Sequence, residues 1–244
     1  MALGVRPVVP SRLTTRLFSH GSGKGWSARS QNRLGAYIAL TKPRIVELLL
    51  VTTIPTMVLA QGGWPALSLM VITMIGGTLA AGGANAINMY IDRDIDRLML
   101  RTQRRPLVTG AITPRAALIF AISLEICAFA ILAIGANFLA ACLALSATLF
   151  YVFVYSIWLK RTSKHNIVIG GAAGAVPVLV GWAAVTNSLA WTPVVLFLVI
   201  FFWTPPHFWA LAIRHADDYR AAGVPMLPVV ASLGQTVRSM VKYS

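Results

Sequence analysis

Six long apolar stretches dominate the hydrophobic pattern of this chain, and short polar connections separate them. Each stretch is close to the roughly 20 residues that an α-helix needs to cross a bilayer. The stretches run over residues 45–61, 66–91, 116–134, 138–159, 167–186 and 193–213. They lack the alternation of membrane β-strands, and backbone groups inside a bilayer must bond within the protein. The pattern therefore predicts an all-α fold, a polytopic transmembrane helical bundle.

Composition and charge support this class and orient the bundle. Hydrophobic residues make up 57% of the 244 residues and charged residues only 11%, which is far from the composition of a soluble domain. The connections at 62–65, 135–137 and 187–192 contain no Lys or Arg. By the positive-inside rule, both termini and the opposite connections face the cytoplasm or its organellar equivalent. The net charge of +14 is spread over loops, which favours anionic lipid headgroups and a phosphorylated substrate over nucleic acid.

The N-terminal segment has a different composition from the rest. Residues 1–46 contain no Asp or Glu and are rich in Ser, Gly and Arg. We predict a disordered cytoplasmic tail over residues 1–35, followed by a membrane-embedded domain over residues 36–244. A mitochondrial transit peptide has a similar composition and is the alternative.

Five of the seven carboxylates lie in two short segments that close apolar stretches: Asp92, Asp94 and Asp96 in the first, and Asp217 and Asp218 in the second. At about 100° per residue, Asn88, Asp92 and Asp96 share one face of a helix. Like charges four residues apart repel, so this arrangement makes sense chiefly when a cation bridges them. Carboxylate and amide oxygens, completed by diphosphate and water, favour Mg²⁺.

The alternative for the first segment is a solvated helix end, on which the three aspartates pair with Arg93, Arg97 and Arg101. The second acidic segment argues against it, because both segments lie on the same predicted side of the membrane. Arg101, Arg104 and Arg105 add guanidinium groups suited to bidentate binding of phosphate oxygens. Together these residues predict a site for a diphosphate leaving group.

Several motifs, taken in order, resemble the UbiA-type intramembrane prenyltransferases, and most closely the members of that family that farnesylate haem. The motifs are Thr41-Lys42-Pro43-Arg44, the run from Asn88 to Asp96, Arg101-Thr102 with Arg105-Pro106-Leu107, Thr204-Pro205-Pro206-His207-Phe208-Trp209, and Asp218-Tyr219 with the run from Gly223 to Pro228. The resemblance extends from about Leu34 to Thr236. The chain departs from the family in two ways: Ala221 and Ala222 stand where a second Asp-x3-Asp motif would end, and six spans are counted where the family has about nine. The membrane domain is therefore expected to be incomplete at its C-terminus, through a truncated gene model, a fragment or a genuine short variant.

The resemblance implies transfer of the farnesyl group from farnesyl diphosphate to the vinyl group of haem B, with addition of water, giving haem O and diphosphate. Carried over by position, the catalytic residues would be Asn88, Asp92, Asp96 and Asp218. Asn88, Asp92 and Asp96 would hold Mg²⁺, Asp217 and Asp218 would form a second metal cluster, and Arg101, Arg105 and Arg214 would bind the diphosphate. Membrane lipids are expected partners, and haem A synthase and a second copy of the chain are further candidates. The stretch from Thr41 to Thr53 resembles bacterial members, which implies the plasma membrane, with the mitochondrial inner membrane as the alternative.

Other functions remain open at this level. A UbiA-type enzyme could act on a quinone precursor or chlorophyllide, and a catalytically dead scaffold would retain the same motifs. A cation or proton transporter with an acidic mouth predicts ionisable groups along a path through the bundle, and Glu125 is the one mid-span residue that fits. His207 could contact haem, but a single His at the end of a span is more often structural, and it is left out of the catalytic set.

Overall fold

The computed structural model of the chain describes residues 33–244, apart from the side chains at positions 45 and 48–50. Most of the tail predicted over residues 1–35 lies outside the described residues. Positions 33–35 already belong to the first helix, so the predicted boundary at 35 falls inside a helix. Within the described residues the chain is all-α, which confirms the predicted fold class.

Eight helices form the described structure, joined by short helical turns. They are α1 (Arg33–Thr41), α2 (Pro43–Gln61), α3 (Leu67–Ile91), α4 (Pro114–Gly135), α5 (Phe138–Thr162), α6 (Asn166–Thr186), α7 (Trp191–Arg214) and α8 (Leu233–Tyr243). Shorter turns occupy Ile95–Arg97, Pro106–Thr109, Ala216–Ala221 and Leu227–Val230. Inside α5, Phe150–Leu159 is π-helical, a geometry that is rare and often found at functional sites.

The predicted spans correspond to helices α2 to α7, and each predicted boundary lies within three residues of the observed one. Helices α3 to α7 are long and apolar enough to cross a membrane. In α2 (Pro43–Gln61) the described apolar segment is Val51–Gln61, so the sixth predicted span stays a prediction. Side-chain caps start two of the spans: Thr113 and Asn137 accept the backbone N–H groups of Ala116 and Ala140, as N-cap residues do.

Small residues allow the helices to pack closely. A core of alanines, with Ala80, Ala128, Ala140 and Ala183 among them, joins α3, α4, α5 and α6. A Cβ atom added at Gly76 would lie 2.5 Å from Leu132 Cγ, so α3 and α4 can approach this closely only because that position is a glycine.

A separate apolar cluster ties together the loops at one end of the bundle. It contains Ile95 and Met99 from the loop after α3, Ala212 at the end of α7, and Val224 and Met226 from the loop beyond it. The two acidic segments of the sequence are therefore held at the same end of the bundle.

Candidate active site

Asn88, Asp92 and Asp96 keep a helix-like arrangement, although the helix ends between the first two of them. Helix α3 ends at Ile91, earlier than the spacing predicts. Even so, the Asp92 N–H donates to the Asn88 carbonyl and the Asp96 N–H donates to the Asp92 carbonyl, each at 2.9 Å. These helix-like bonds keep the three side chains together, and Asp92 and Asp96 are both 0% exposed.

Asn88 lies at the centre of this group. Its Nδ2 donates to Asp92 Oδ2 at 2.8 Å and to Ser156 Oγ at 3.0 Å. Its Oδ1 accepts a hydrogen bond of 3.0 Å from Lys42 Nζ. The amide thus joins α3 to the start of α2 and to the π-helical segment of α5.

Basic side chains from distant parts of the chain pair with the buried acids. Lys160, at the end of α5, forms an ion pair with Asp92, and Arg105 Nη1 lies 2.5 Å from Asp96 Oδ2. Arg93 instead donates to the Tyr90 carbonyl. The alternative prediction, a solvated helix end on which neighbouring arginines pair with the aspartates, is therefore wrong for Asp92 and Asp96.

Asp94 points away from the buried group, as the helical spacing predicts. Its side chain is 59% exposed and pairs with Arg161. The hydrogen bonds from Arg161 lower the pKa of Asp94 to about 2. This acid therefore acts as a surface link between the ends of α3 and α5.

The buried part of the site combines several cations with few anions. Burial, followed by the neighbouring charges of Arg105 and Lys160, lowers the pKa of Lys42 to about 7, although Asp92 and Asp96 oppose this shift. Burial also raises the pKa of Asp96, against the effect of Arg105. Lys42, Lys160 and Arg105 repel one another, and an anionic ligand would relieve this repulsion.

Two carboxylate oxygens in the site lack a protein partner. Asp92 Oδ1 and Asp96 Oδ1 are buried and accept no hydrogen bond, and such orphaned acceptors require an explanation. Carboxylate oxygens are preferred Mg²⁺ ligands, and Mg²⁺ usually completes its shell with water and substrate phosphate oxygens. These residues therefore fit Mg²⁺, and Lys42, Lys160 and Arg105 fit the phosphate. Among the described residues, no three His, Cys, Asp or Glu side chains group closely enough to hold an ion, so a bound metal would draw on ligand or water oxygens.

The second acidic segment reaches the first in a different way from that predicted. Asp218 Oδ1 accepts the Leu100 N–H at 3.0 Å, and Oδ2 accepts the Arg101 N–H at 3.3 Å. Arg101 in turn lies near Tyr219, with Nη2 at 3.5 Å from the hydroxyl. The two segments meet through backbone amides rather than through converging carboxylates.

The remaining predicted residues lie at the surface. The Asp217 side chain is 97% exposed and pairs with Arg220, and Arg214 is exposed at the end of α7. His207 is also exposed and stacks on Trp203 with ring centroids 4.5 Å apart. The structure thus unites Asn88, Asp92, Asp96 and Arg105, and leaves Asp217 and Arg214 outside this group.

Sequence reasoning missed Lys42, Ser156 and Lys160 as site residues. Lys42 lies in one of the motifs that carry the family resemblance, which was the available signal. It adopts a left-handed conformation, with φ of 53°, immediately before Pro43. Lys160 follows an apolar span, where a lysine by itself indicates only the orientation of the bundle, and Ser156 lies in an aromatic run with no local cue.

Comparison with known proteins defines the class. The sequence model of the UbiA prenyltransferase family matches residues 49–243. A UbiA homolog from Archaeoglobus fulgidus bound to GPP and Mg²⁺ has a similar fold, with a TM-score of 0.68 and 23% identity over 85% of this chain and 73% of that one. A UbiA homolog from Aeropyrum pernix K1 is comparable, with a TM-score of 0.68 and 20% identity over 83% of this chain and 74% of that one. The chain belongs to the UbiA prenyltransferase family of integral membrane enzymes.

Within this family, several similar curated proteins are named Protoheme IX farnesyltransferase. The protein from Clavibacter sepedonicus is 57% identical over 86% of this chain and 68% of its own length. Those from Clavibacter michiganensis and Streptomyces avermitilis are 60% and 56% identical, over 80% and 89% of this chain and 64% and 73% of their own lengths. The chain spans about two thirds of the length of these relatives. The resemblance inferred from the motifs is confirmed.

Proposed function

We propose that this chain carries the active site of a protohaem IX farnesyltransferase. The reaction moves the farnesyl group of farnesyl diphosphate to the vinyl group of haem B, with addition of water, and releases haem O and diphosphate. The observation that carries this proposal is the buried pair Asp92 and Asp96, each with an oxygen that has no protein partner, surrounded by Lys42, Lys160 and Arg105. The names of the relatives support haem rather than a quinone precursor as the acceptor.

The basic residues of the site would promote the reaction by stabilising negative charge on the leaving diphosphate. When the bond between the farnesyl carbon and the diphosphate oxygen breaks, negative charge accumulates on the diphosphate. Lys42, Lys160 and Arg105 bind that charge, and their fixed positions stabilise it better than mobile water does. A Mg²⁺ ion bound by Asn88, Asp92 and Asp96 would supply Lewis-acid stabilisation of the same leaving group. Asp92 and Asp96 are both fully buried, so their carboxylates are shielded from bulk water.

The second acidic segment has a supporting role in this proposal. Asp218 holds the backbone at Leu100 and Arg101, which anchors the loop that carries Arg105. The predicted second metal on Asp217 and Asp218 stays a prediction. Glu125, the mid-span acid that a transporter would use, accepts a hydrogen bond from Thr148 and packs against Gly83, which favours a packing role.

We further propose the bacterial plasma membrane as the location, with the site at the cytoplasmic end of the bundle. The positive-inside rule supports this orientation, because the site lies at the end of the bundle that carries the basic loops. The relatives named above come from bacteria.

Product analysis with two matched variants tests the function. Membranes that contain the chain are incubated with haem B, farnesyl diphosphate and Mg²⁺, and mass spectrometry measures the hydroxyethylfarnesyl product. We expect product from the wild type, none from Asp92→Ala, and near-normal product from Asp94→Ala, which removes an exposed acid two residues away. Normal turnover by Asp92→Ala, or no product from the wild type, would overturn the proposal.

A further inference from the structure

The π-helical segment of α5 brings a buried hydroxyl to the site. Ser156 is 0% exposed, and its Oγ donates to the Tyr151 carbonyl, five residues earlier, at 2.9 Å. A serine hydroxyl has a single hydrogen and two lone pairs. Because that hydrogen is already used within the helix, Ser156 can only accept a hydrogen bond from Asn88.

This constraint distinguishes the two ends of the Asn88 amide. The group facing Ser156 must be a donor, and Nδ2 occupies that place at 3.0 Å. A reversed amide would direct Oδ1 towards the lone pairs of Ser156 and towards the carboxylate of Asp92, and would direct Nδ2 towards the ammonium group of Lys42. Each of these contacts would be repulsive.

Ser156 differs from the other two partners of Asn88 in one respect. Lys42 and Asp92 belong to the groups proposed to bind diphosphate and metal, so their contacts with Asn88 compete with ligand binding. Ser156 is not among those groups, and its hydrogen bond to the Tyr151 carbonyl holds it against the backbone of α5.

We infer that Ser156 is a positioning residue that locks the orientation of the Asn88 amide, so that Oδ1 is presented to the metal and diphosphate. This inference rests on the proposed function. Ser156 contacts neither substrate nor metal in this role, and acts through Asn88 alone.

Metal binding by the purified chain tests the inference directly. Mn²⁺ binding is measured by electron paramagnetic resonance in the presence of inorganic diphosphate, alongside the Mg²⁺ concentration that gives half-maximal turnover. Ser156→Ala should weaken Mn²⁺ binding about tenfold, the size expected for the loss of one buried hydrogen bond. Ser156→Thr, which keeps the hydroxyl, and Ser146→Ala, the same change on an exposed hydroxyl of α5, should stay within about twofold of the wild type.

A double-mutant cycle separates positioning from packing. A carboxylate has two equivalent oxygens and needs no orientation, so in an Asn88→Asp background Ser156→Ala should change Mn²⁺ binding by less than about twofold. Unchanged binding in the single variant Ser156→Ala, or an equal loss in both backgrounds, would overturn the inference. If Ser156→Ala does not fold, Ser156→Cys replaces it in both backgrounds, because its sulfur is only a weak acceptor. Absence of Mn²⁺ binding in the wild type would instead contradict the proposed function.

Discussion

Lys160 and Asp92 form an ion pair across 68 positions of the sequence, at the point where α5 meets the end of α3. The carboxylate is fully buried and the ammonium side chain is 12% exposed. Removal of one partner from such a pair leaves the other as an uncompensated buried charge. The acid proposed to bind metal and a base proposed to bind phosphate thus hold each other in place before the ligand arrives.

Lys160→Gln tests the phosphate-binding role of this pair. A hydrogen bond to a charged group is worth about 1.5–3 kcal/mol, so the KM for farnesyl diphosphate should rise roughly tenfold to a hundredfold. Lys164→Gln, the same change on an exposed lysine of the following loop, is the control and should leave KM within about twofold. Steady-state kinetics in membranes measures both variants. An equal KM in the two variants would argue against Lys160 as a phosphate ligand.

The membrane spans and the Asn88, Asp92 and Asp96 group could be predicted because each follows from local rules. A bilayer imposes a minimum helix length, and a four-residue spacing places side chains on one face. The partners of those residues could not be predicted, because they depend on which helix ends become neighbours. Lys160 reaches Asp92 through the packing of α5 on α3, and Asp218 binds backbone amides whose positions the sequence does not encode locally.

Asp218→Asn and Asp217→Asn form a matched pair of adjacent substitutions. Both oxygens of Asp218 accept backbone N–H groups, and an amide would place a donor against one of them. We expect kcat/KM for farnesyl diphosphate to fall about tenfold in Asp218→Asn, because the loop carrying Arg105 loses an anchor. Asp217→Asn should change it by less than about twofold, since its pair with Arg220 is exposed. Comparable losses in both variants would contradict this role for Asp218.

Two glycines of α6 should respond oppositely to alanine. A Cβ atom at Gly181 would lie 2.7 Å from the Thr53 carbonyl oxygen on α2, whereas Gly174 has open space within 4 Å. Gly181→Ala should therefore destabilise the protein by about 1–3 kcal/mol, since a backbone oxygen cannot move aside cheaply. Gly174→Ala should be neutral or stabilise it by up to about 1 kcal/mol through helix propensity. Thermal unfolding in detergent measures both, and a higher Tm for Gly181→Ala would contradict this account of the α2–α6 contact.

The surface link between Asp94 and Arg161 should make a pH-dependent contribution to stability. Both Arg161 nitrogens contact the carboxylate, at 2.6 and 2.7 Å, and the pKa of Asp94 falls from 3.8 to about 2. Because the folded-state pKa lies below the unfolded one, the stabilisation is fully present above about pH 4 and is lost as pH falls through 2. The pair is substantially exposed, so Asp94→Asn should lower the free energy of unfolding by no more than about 1 kcal/mol at pH 6. The difference from the wild type should vanish near pH 2 and shrink at high salt. Unfolding in detergent at pH 6 and at pH 2 measures this difference in the free energy of unfolding. A difference of the same size at both pH values would show that Asp94 acts by something other than its charge.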